Sequence, residues 1–308
     1  ASVPTGTVGR PGSQPAPVEA DTETVTAVQA AVGAGGEGCD PLDTKRCLLP
    51  FPSDAYRIDG RVSIAGEAMP VNSAGVPIDP QEWNRNDGFS TNTPILTFVP
   101  GLDARASDLP PWTDLERSLQ PDATVVLIDV ATGDRVPLWA ELDAKADSDD
   151  DRLLEIHPAV PLAHATTYAV ALRGLMATSG AVIEAGPVFR VYRDSLLTGI
   201  DGIEARRAEM DAALEALTAA GVPRADLQLA WTFTTASLDN VTGRMTHIRD
   251  TALTELGDDA APAFTVTEVV PNSDDNIAVQ VSGTYTVPNF LEGDGGPGNR
   301  FHYDGAVG

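Results

Sequence analysis

The sequence predicts a β-rich α+β protein built on an Ig-like antiparallel β-sandwich. Short extended segments separated by turn residues recur between residues 94 and 192, which is typical of a sandwich. Two long helical patterns follow, over residues 202–220 and 238–256. Two further apolar strands, over 264–270 and 277–287, predict a β-hairpin with a generous loop at 271–276.

Six strands make up the predicted sandwich. They span residues 94–99, 123–130, 136–142, 152–157, 166–172 and 187–192. The tripeptide Thr132-Gly133-Asp134 predicts a hairpin turn between the second and the third strand. A further strand over 227–235 has four large side chains alternating on one side, Leu227, Leu229, Trp231 and Phe233.

Both helices carry start or stop signals. Asp201 is expected to be the N-cap of the first helix, with Glu204 three residues on in a capping-box pattern. Gly221 ends that helix and Gly257 ends the second. The second helix has an apolar stripe formed by Leu238, Val241, Met245, Ile248 and Leu256.

The chain divides into five predicted segments. In order they are a flexible leader (1–38), an irregular segment that wraps over a neighbouring domain (39–93), the sandwich with its inserted helix 202–220 (94–236), a linker helix (237–260), and the hairpin with a Gly-rich segment (261–308). Two strands alone are not stable. The hairpin therefore either joins the preceding sheet or begins an incomplete domain.

Charge excludes several classes of partner. The 308 residues include 45 acidic and 20 basic side chains, a formal net charge of −25. Such a surface repels phosphate, which excludes nucleic acid and disfavours anionic lipid. The longest apolar runs are too short to span a bilayer, so no transmembrane segment is predicted.

The two cysteines predict a local disulfide. Seven residues separate Cys39 from Cys47, too many for a CxxC redox or zinc motif, and a second ligand pair is missing. Two reduced, buried thiols are the alternative. A disulfide would place the protein in an oxidising compartment, outside the cell or on its surface.

No catalytic residue and no cofactor are predicted from motifs. Gly-x-Ser-x-Gly occurs nowhere in the sequence, and the four histidines have no metal-binding spacing. His157 and His164 are expected at the surface. The acidic run at 147–151 offers Asp147, Asp149 and Asp151 as weak metal candidates, but it lacks the Gly and the distal Glu of an EF-hand. We favour a solvated hairpin tip.

Residues 82–90 form the most specific polar stretch. It contains Trp83, Asn84, Arg85, Asn86 and Asp87. One interpretation is a recognition loop, with Trp83 and Arg85 making contacts. The other is a turn network in which Trp83 and Phe89 hold the wrapping segment against the core, and we favour this second interpretation.

Several stretches, in their order along residues 39–300, resemble the N-terminal region of large secreted bacterial esterases and lipases. That group includes virulence-factor lipases with a dedicated N-terminal domain. The stretches are Cys39-Asp-Pro-Leu-Asp, Cys47-Leu-Leu-Pro-Phe-Pro-Ser-Asp, Glu82-Trp-Asn-Arg-Asn-Asp-Gly-Phe-Ser, Thr166-Thr-Tyr-Ala-Val, Trp231-Thr-Phe-Thr-Thr-Ala-Ser and Gly283-Thr-Tyr-Thr-Val-Pro-Asn-Phe-Leu.

The resemblance implies a partner domain. The hairpin would begin an α/β-hydrolase sheet whose Ser, His and acid lie beyond residue 308, so no catalytic residue is carried over to this chain. The implied partner is a C-terminal α/β-hydrolase domain or chain, and the implied substrate is an apolar ester. Two alternatives stay open: an extracellular Ig-like binding or adhesion module without enzymatic activity, and an enzyme nicked after Gly308.

Overall fold

The computed structural model describes residues 16–36, 38–257 and 261–303. The chain divides into two compact units, Ala1–Ser237 and Leu238–Gly308. The strands of the first unit are β1 (Val18–Glu19), β2 (Arg57–Ile58), β3 (Arg61–Val62), β4 (Ile95–Thr97), β5 (Val125–Asp129), β6 (Leu138–Leu142), β7 (Leu154–Pro158), β8 (Thr167–Arg173), β9 (Leu196–Leu197) and β10 (Leu227–Thr234). Its helices are α1 (Thr22–Gly35), α2 (Pro187–Arg193) and α3 (Asp201–Ala219).

Two three-stranded antiparallel sheets form the centre of the first unit. Their strand orders are β4-β7-β6 and β10-β8-β5. Apolar side chains from both sheets share one core, including Ile95, Leu138, Ile156, Val170 and Trp231. This arrangement confirms the predicted α+β class with a β-sandwich.

A second core lies between the sheet β10-β8-β5 and the helices. Side chains alternate along β5, so Val125 and Leu127 belong to the sandwich core while Val126 and Ile128 belong to the helix side. The helices contribute Val28, Phe189, Tyr192, Met210, Leu214 and Leu217 to that second core. The sheet is therefore buried on both of its faces.

The predicted hairpin between the second and third strands is wrong beyond its turn. The turn itself forms, because the Asp129 amide donates to the Asp134 carbonyl and the Val136 amide to the Leu127 carbonyl. The chain then leaves β5, and Leu138 pairs with Pro158 of β7 in the other sheet. This turn is a crossing between the two layers of the sandwich.

The predicted strand at 187–192 is a helix, α2. Pro187 occupies the start of the helix, where its missing N–H costs no hydrogen bond. Val188, Phe189, Val191 and Tyr192 are buried, and their spacing fits one helical face as well as a short strand. Periodicity over so short an apolar run does not separate the two structures.

The predicted flexible leader is wrong for its described part, while residues 1–15 and 37 lie outside the described residues. Strand β1 pairs in parallel with β9. The Asp21 carboxylate caps α1 by accepting the Thr24 amide at 2.7 Å. Val28 is fully buried. Small alanines hide the amphipathic character of this helix because they contribute little to an apolar stripe.

The predicted N-cap and capping box of α3 are wrong, because Ile200 is the N-cap and makes no side-chain cap hydrogen bond. Asp201 is the first helical residue and not the cap. The Glu204 carboxylate accepts the amide and the hydroxyl of Thr198, both at 2.9 Å, and pairs with Arg207 at 2.6 Å. The Arg207 hydrogen bond, with help from Thr198, lowers the pKa of Glu204 to about 2.

A β-bulge changes the predicted alternation of β10. The register shifts between Leu227 and Leu229. Trp231 and Phe233 consequently face the sandwich core, whereas Leu227 faces the helices with Ala230.

The segment 39–93 is fixed to the core by polar contacts. The disulfide between Cys39 and Cys47 is formed, as predicted. The Trp231 indole donates to the Pro52 carbonyl at 2.9 Å, and the Asp54 carboxylate accepts the amide and hydroxyl of Thr234. Burial raises the pKa of Asp54 even though these donors oppose the shift.

A buried ion pair joins this segment to α3. The Arg206 guanidinium donates to the Asp40 carboxylate at 2.8 Å, and the Asp40 side chain is fully buried. The same carboxylate accepts the Leu42 amide and the Ser53 hydroxyl, both at 3.0 Å. The carboxylate therefore has a hydrogen-bond donor on each of its oxygens, as a buried charge requires.

The second unit contains α4 (Leu238–Leu256) and the antiparallel hairpin of β11 (Phe264–Asp274) and β12 (Ile277–Tyr285). The generous loop predicted at 271–276 is wrong, because Pro271 pairs with Val279 and the strands continue almost to the turn. Among the described residues, β11 and β12 pair only with each other.

We predict that Asp40→Asn lowers the free energy of unfolding of the first unit by about 3–5 kcal/mol, because it removes the closest counter-charge of the buried Arg206 guanidinium and leaves Glu209 at 4.0 Å. Denaturant titration followed by the fluorescence of buried Trp231 measures the effect. The matched control is Asp149→Asn, an aspartate 97% exposed beside Arg152, expected to cost under about 0.5 kcal/mol. Equal losses in both variants would contradict the assignment.

We predict that Glu204 contributes to acid sensitivity. Its folded pKa, about 2, lies below the unfolded value near 4.5, so its stabilisation is present above pH 4.5 and is lost as the pH falls towards 2. Glu204→Gln should cost on the order of 1–2 kcal/mol at pH 7, allowing for solvent screening, and almost nothing near pH 2. Unfolding at a series of pH values tests this. In an Arg207→Ala background the substitution should cost much less, and an undiminished cost would refute the pairing.

Candidate functional site

The apolar face of the hairpin is the most distinctive surface of the second unit. Cross-strand partners on this face are Phe264 with Tyr285, Val266 with Gly283, Val269 with Val281, and Pro271 with Val279. Phe264 is 67% exposed and Tyr285 is 69% exposed. A register shift between Val266 and Glu268 keeps Val269 on the same face as Val266. The result is a continuous exposed apolar stripe.

The opposite face of the hairpin is mainly polar. It pairs Thr265 with Thr284, Glu268 with Ser282, and Val270 with Gln280. The hairpin is therefore amphipathic, with one side suited to water and one suited to burial.

Helix α4 also exposes apolar side chains. None of its residues is buried. Leu238, Val241, Met245 and Leu253 are each between 53% and 62% exposed. An apolar stripe on a helix normally faces a core, and contiguous exposed apolar surface marks an interaction site. We define the apolar face of the hairpin together with this stripe of α4 as the candidate docking surface.

The loop at 82–90 has a structural role in the fold. The Asn84 side chain accepts the Ile64 amide at 2.8 Å and donates to the Ile64 carbonyl at 2.9 Å. The Asp87 carbonyl accepts the Arg57 guanidinium, and its carboxylate accepts the Ser237 amide. These bonds match the turn network that we favoured.

The remaining residues of that loop support the same role. The Asn86 side chain donates to the Trp83 carbonyl at 2.9 Å, and the Arg85 carbonyl accepts from Arg61. Phe89 is buried, while Trp83 is 49% exposed and contributes little to holding the loop.

The acidic run at 147–151 does not gather its carboxylates around one point. Asp151 pairs with Lys45 at 2.7 Å and accepts the Ser148 hydroxyl. Asp149 is 97% exposed and lies 3.8 Å from Arg152. Cations of the protein itself thus occupy the neighbourhood of two of the three metal candidates. In the described part of the chain, Asp147 does not belong to a cluster of three or more metal-ligating side chains.

A cleft of about 480 Å³ opens beside β8 and β10. Its polar lining is used by the fold: Arg173 donates to the Ala123 carbonyl, Arg193 to the Leu227 carbonyl, and Gln228 to the Leu175 carbonyl. These three polar side chains of the lining are thus already bonded to the backbone.

The geometry defines an α+β protein with a two-sheet sandwich covered by helices, and a second unit with an exposed apolar surface. Neither a family model nor a curated protein matches the sequence. Among solved structures, the chain is similar to domains 1–6 of the surface-layer protein SbsC, at 17% identity and a TM-score of 0.21. The match covers 32% of this chain and 11% of that one, and a TM-score this low carries no argument. In the part of the chain that the structure describes, no helix is long and apolar enough to cross a membrane.

We predict that Gly88→Ala destabilises the first unit by about 1–3 kcal/mol. A Cβ at this position would lie 2.6 Å from the backbone carbonyl of Thr235, and the backbone cannot move aside as a flexible side chain can. Thermal unfolding measures the loss. Gly66→Ala is the matched control, because its Cβ would meet nothing within 4 Å. A neutral Gly88→Ala would show that the loop does not hold the Thr235 backbone.

Proposed function

We propose that this chain is the N-terminal, non-catalytic part of a secreted carboxylic-ester hydrolase, and that it scaffolds a Ser-His-acid catalytic domain lying beyond residue 308. The observation that carries the proposal is the hairpin of β11 and β12, whose apolar face is exposed along both strands. The resemblance of residues 39–300 to the N-terminal region of secreted esterases and lipases supports it.

Among the described residues, the hairpin has no further strand beside it. A two-stranded sheet is not stable alone in water, and an exposed face with Phe264, Val281 and Tyr285 favours burial against further structure. The two outer edges of the hairpin also present backbone groups that additional strands can pair with. A larger sheet with covering helices satisfies both requirements.

The chemistry belongs to the partner domain in this proposal. That domain performs acyl transfer through an activated serine, with backbone amides stabilising the tetrahedral oxyanion. The present chain holds the first strands of the catalytic sheet in place. The disulfide between Cys39 and Cys47 supports secretion, because disulfides persist in oxidising compartments.

Reading the gene and the native protein tests the proposal directly. We expect a Gly-x-Ser-x-Gly stretch within about 200 residues after Gly308, the size of one domain. Intact mass and terminal sequencing of the native protein show whether that part is continuous with this chain or a separate, associated polypeptide. A native protein that ends at Gly308 without a partner would contradict the proposal and favour a binding or adhesion module.

We predict that Val281→Lys impairs the assembled enzyme, because it places a charge in the centre of the apolar face. Hydrolysis of a short-chain nitrophenyl ester and the melting temperature of the full-length protein should both fall. Gln280→Lys adds the same charge to the neighbouring position on the polar face and should change neither. Equal behaviour of the two variants would exclude the apolar face as the docking surface.

A further inference from the structure

Three metal-ligating side chains meet on the outer face of the sheet β4-β7-β6. Glu141 of β6 and Glu155 of β7 are directly paired across the strands, and His157 lies two residues further along β7 on the same face. The Nε2 atom of His157 is 3.5 Å from a Glu141 carboxylate oxygen and 3.6 Å from a Glu155 carboxylate oxygen. One ligand atom from each residue lies within 4.8 Å of the other two.

The imidazole of His157 is oriented but not hydrogen-bonded at Nε2. Its ring stacks on the Trp139 indole, with centroids 4.7 Å apart and planes 14° apart. The Nε2 atom is buried and has no hydrogen-bond partner. The Trp139 indole N–H lies 3.4 Å from the Glu141 carboxylate and orients it as well. A buried nitrogen without a hydrogen-bond partner calls for an explanation, and a cation bound between it and the two carboxylates is one that involves all three groups.

The two glutamates need the same partner. Like charges directly opposite each other on neighbouring strands destabilise their pairing. Here the two glutamates lie opposite each other on β7 and the edge strand β6, so their repulsion weakens the pairing that attaches β6 to the sheet. A cation bound between them converts this repulsion into a cross-strand link.

The geometry points to a divalent transition-metal site of the zinc class, with Glu141, Glu155 and His157 as its three protein ligands. Tetrahedral zinc with ligands at 2.0–2.2 Å places its ligand atoms about 3.3–3.6 Å apart, close to the two distances from Nε2. Glu141 is 54% exposed, so solvent reaches the site and supplies the fourth ligand. One nitrogen and two carboxylates suit zinc better than calcium, which prefers oxygen alone. The site links the edge strand to the sheet.

The sequence contained part of this signal. Glu155-x-His157 places two ligands on one face of a strand, but such a pair is common on exposed strands. The third ligand depends on the register of β6 against β7, and the sequence predicted a different partner for β6. His157 was accordingly expected to be an ordinary surface residue.

The test is a titration of the metal-free chain with Zn²⁺, followed by tryptophan fluorescence and by calorimetry. We expect one equivalent to change the emission, because metal on His157 perturbs the stacked Trp139. The melting temperature should rise with it. Trp139→Phe should abolish the fluorescence change while the calorimetric binding remains. Ca²⁺ at equal concentration should produce no such change.

Ligand variants locate the site. Glu141→Gln and His157→Asn should each weaken Zn²⁺ binding at least 10-fold. Glu141 is exposed on an edge strand, so its substitution leaves the core intact. The controls are His247→Asn and the double variant Asp147→Asn with Asp149→Asn, both of which should bind Zn²⁺ as the parent does.

Two outcomes would overturn the proposal. One is no stoichiometric binding of Zn²⁺ by the parent chain. The other is binding that keeps its parent affinity in both Glu141→Gln and His157→Asn, because the metal would then lie elsewhere. Neither outcome bears on the docking surface of the second unit, because the site lies in the sandwich of the first unit.

Discussion

The sheet β10-β8-β5 is the constraint on which the first unit depends, because both of its faces must be covered. β5 and β8 are buried along almost their whole length, and two separate cores form on the two sides of the sheet. The sheet β4-β7-β6 covers one side and the helices α1, α2 and α3 cover the other. Without the helices, a two-sheet sandwich would leave the side chains of Val126 and Ala171, on the other face of the sheet, exposed to water. The helices are therefore an integral layer of the fold.

The buried pair of Asp40 and Arg206 connects the irregular segment to this layered core. Asp40 follows the first cysteine of the disulfide loop, so the covalent link and the ion pair fix the same short stretch of chain. From there the chain passes Pro52 and Asp54, which bond to β10. A segment with little regular structure is thereby held by polar bonds whose loss would leave charges or donors buried.

Sequence patterns predicted the elements with long periodicity and missed those that depend on tertiary pairing. The helix at Leu238–Leu256 is confirmed at both ends, and the disulfide is confirmed as well. Helix α2 was mistaken for a strand because seven residues hold too few turns to reveal their period. The partner of β6 could not be read from a hairpin turn, since a turn fixes the local direction of the chain but not the sheet it enters. Of the candidate site, the apolar stripe of α4 was visible in the sequence. The apolar residues of the hairpin could not be assigned to one face from the sequence, because this assignment depends on the register of β11 against β12.

Because acidic residues are in excess, the Asp40 carboxylate has an arginine beside it whereas the carboxylates of Glu141 and Glu155 do not. At the buried carboxylate of Asp40, the fold places an arginine. With 45 acidic and 20 basic side chains, the chain has too few cations to pair every carboxylate. On the outer face of β6 and β7, two glutamates meet with only a histidine between them. An imidazole nitrogen and two carboxylates are together a donor set that a divalent metal ion can use, and the bound ion would offset the negative charge of the glutamates. A deficit of basic residues and a metal site are therefore consistent with each other here.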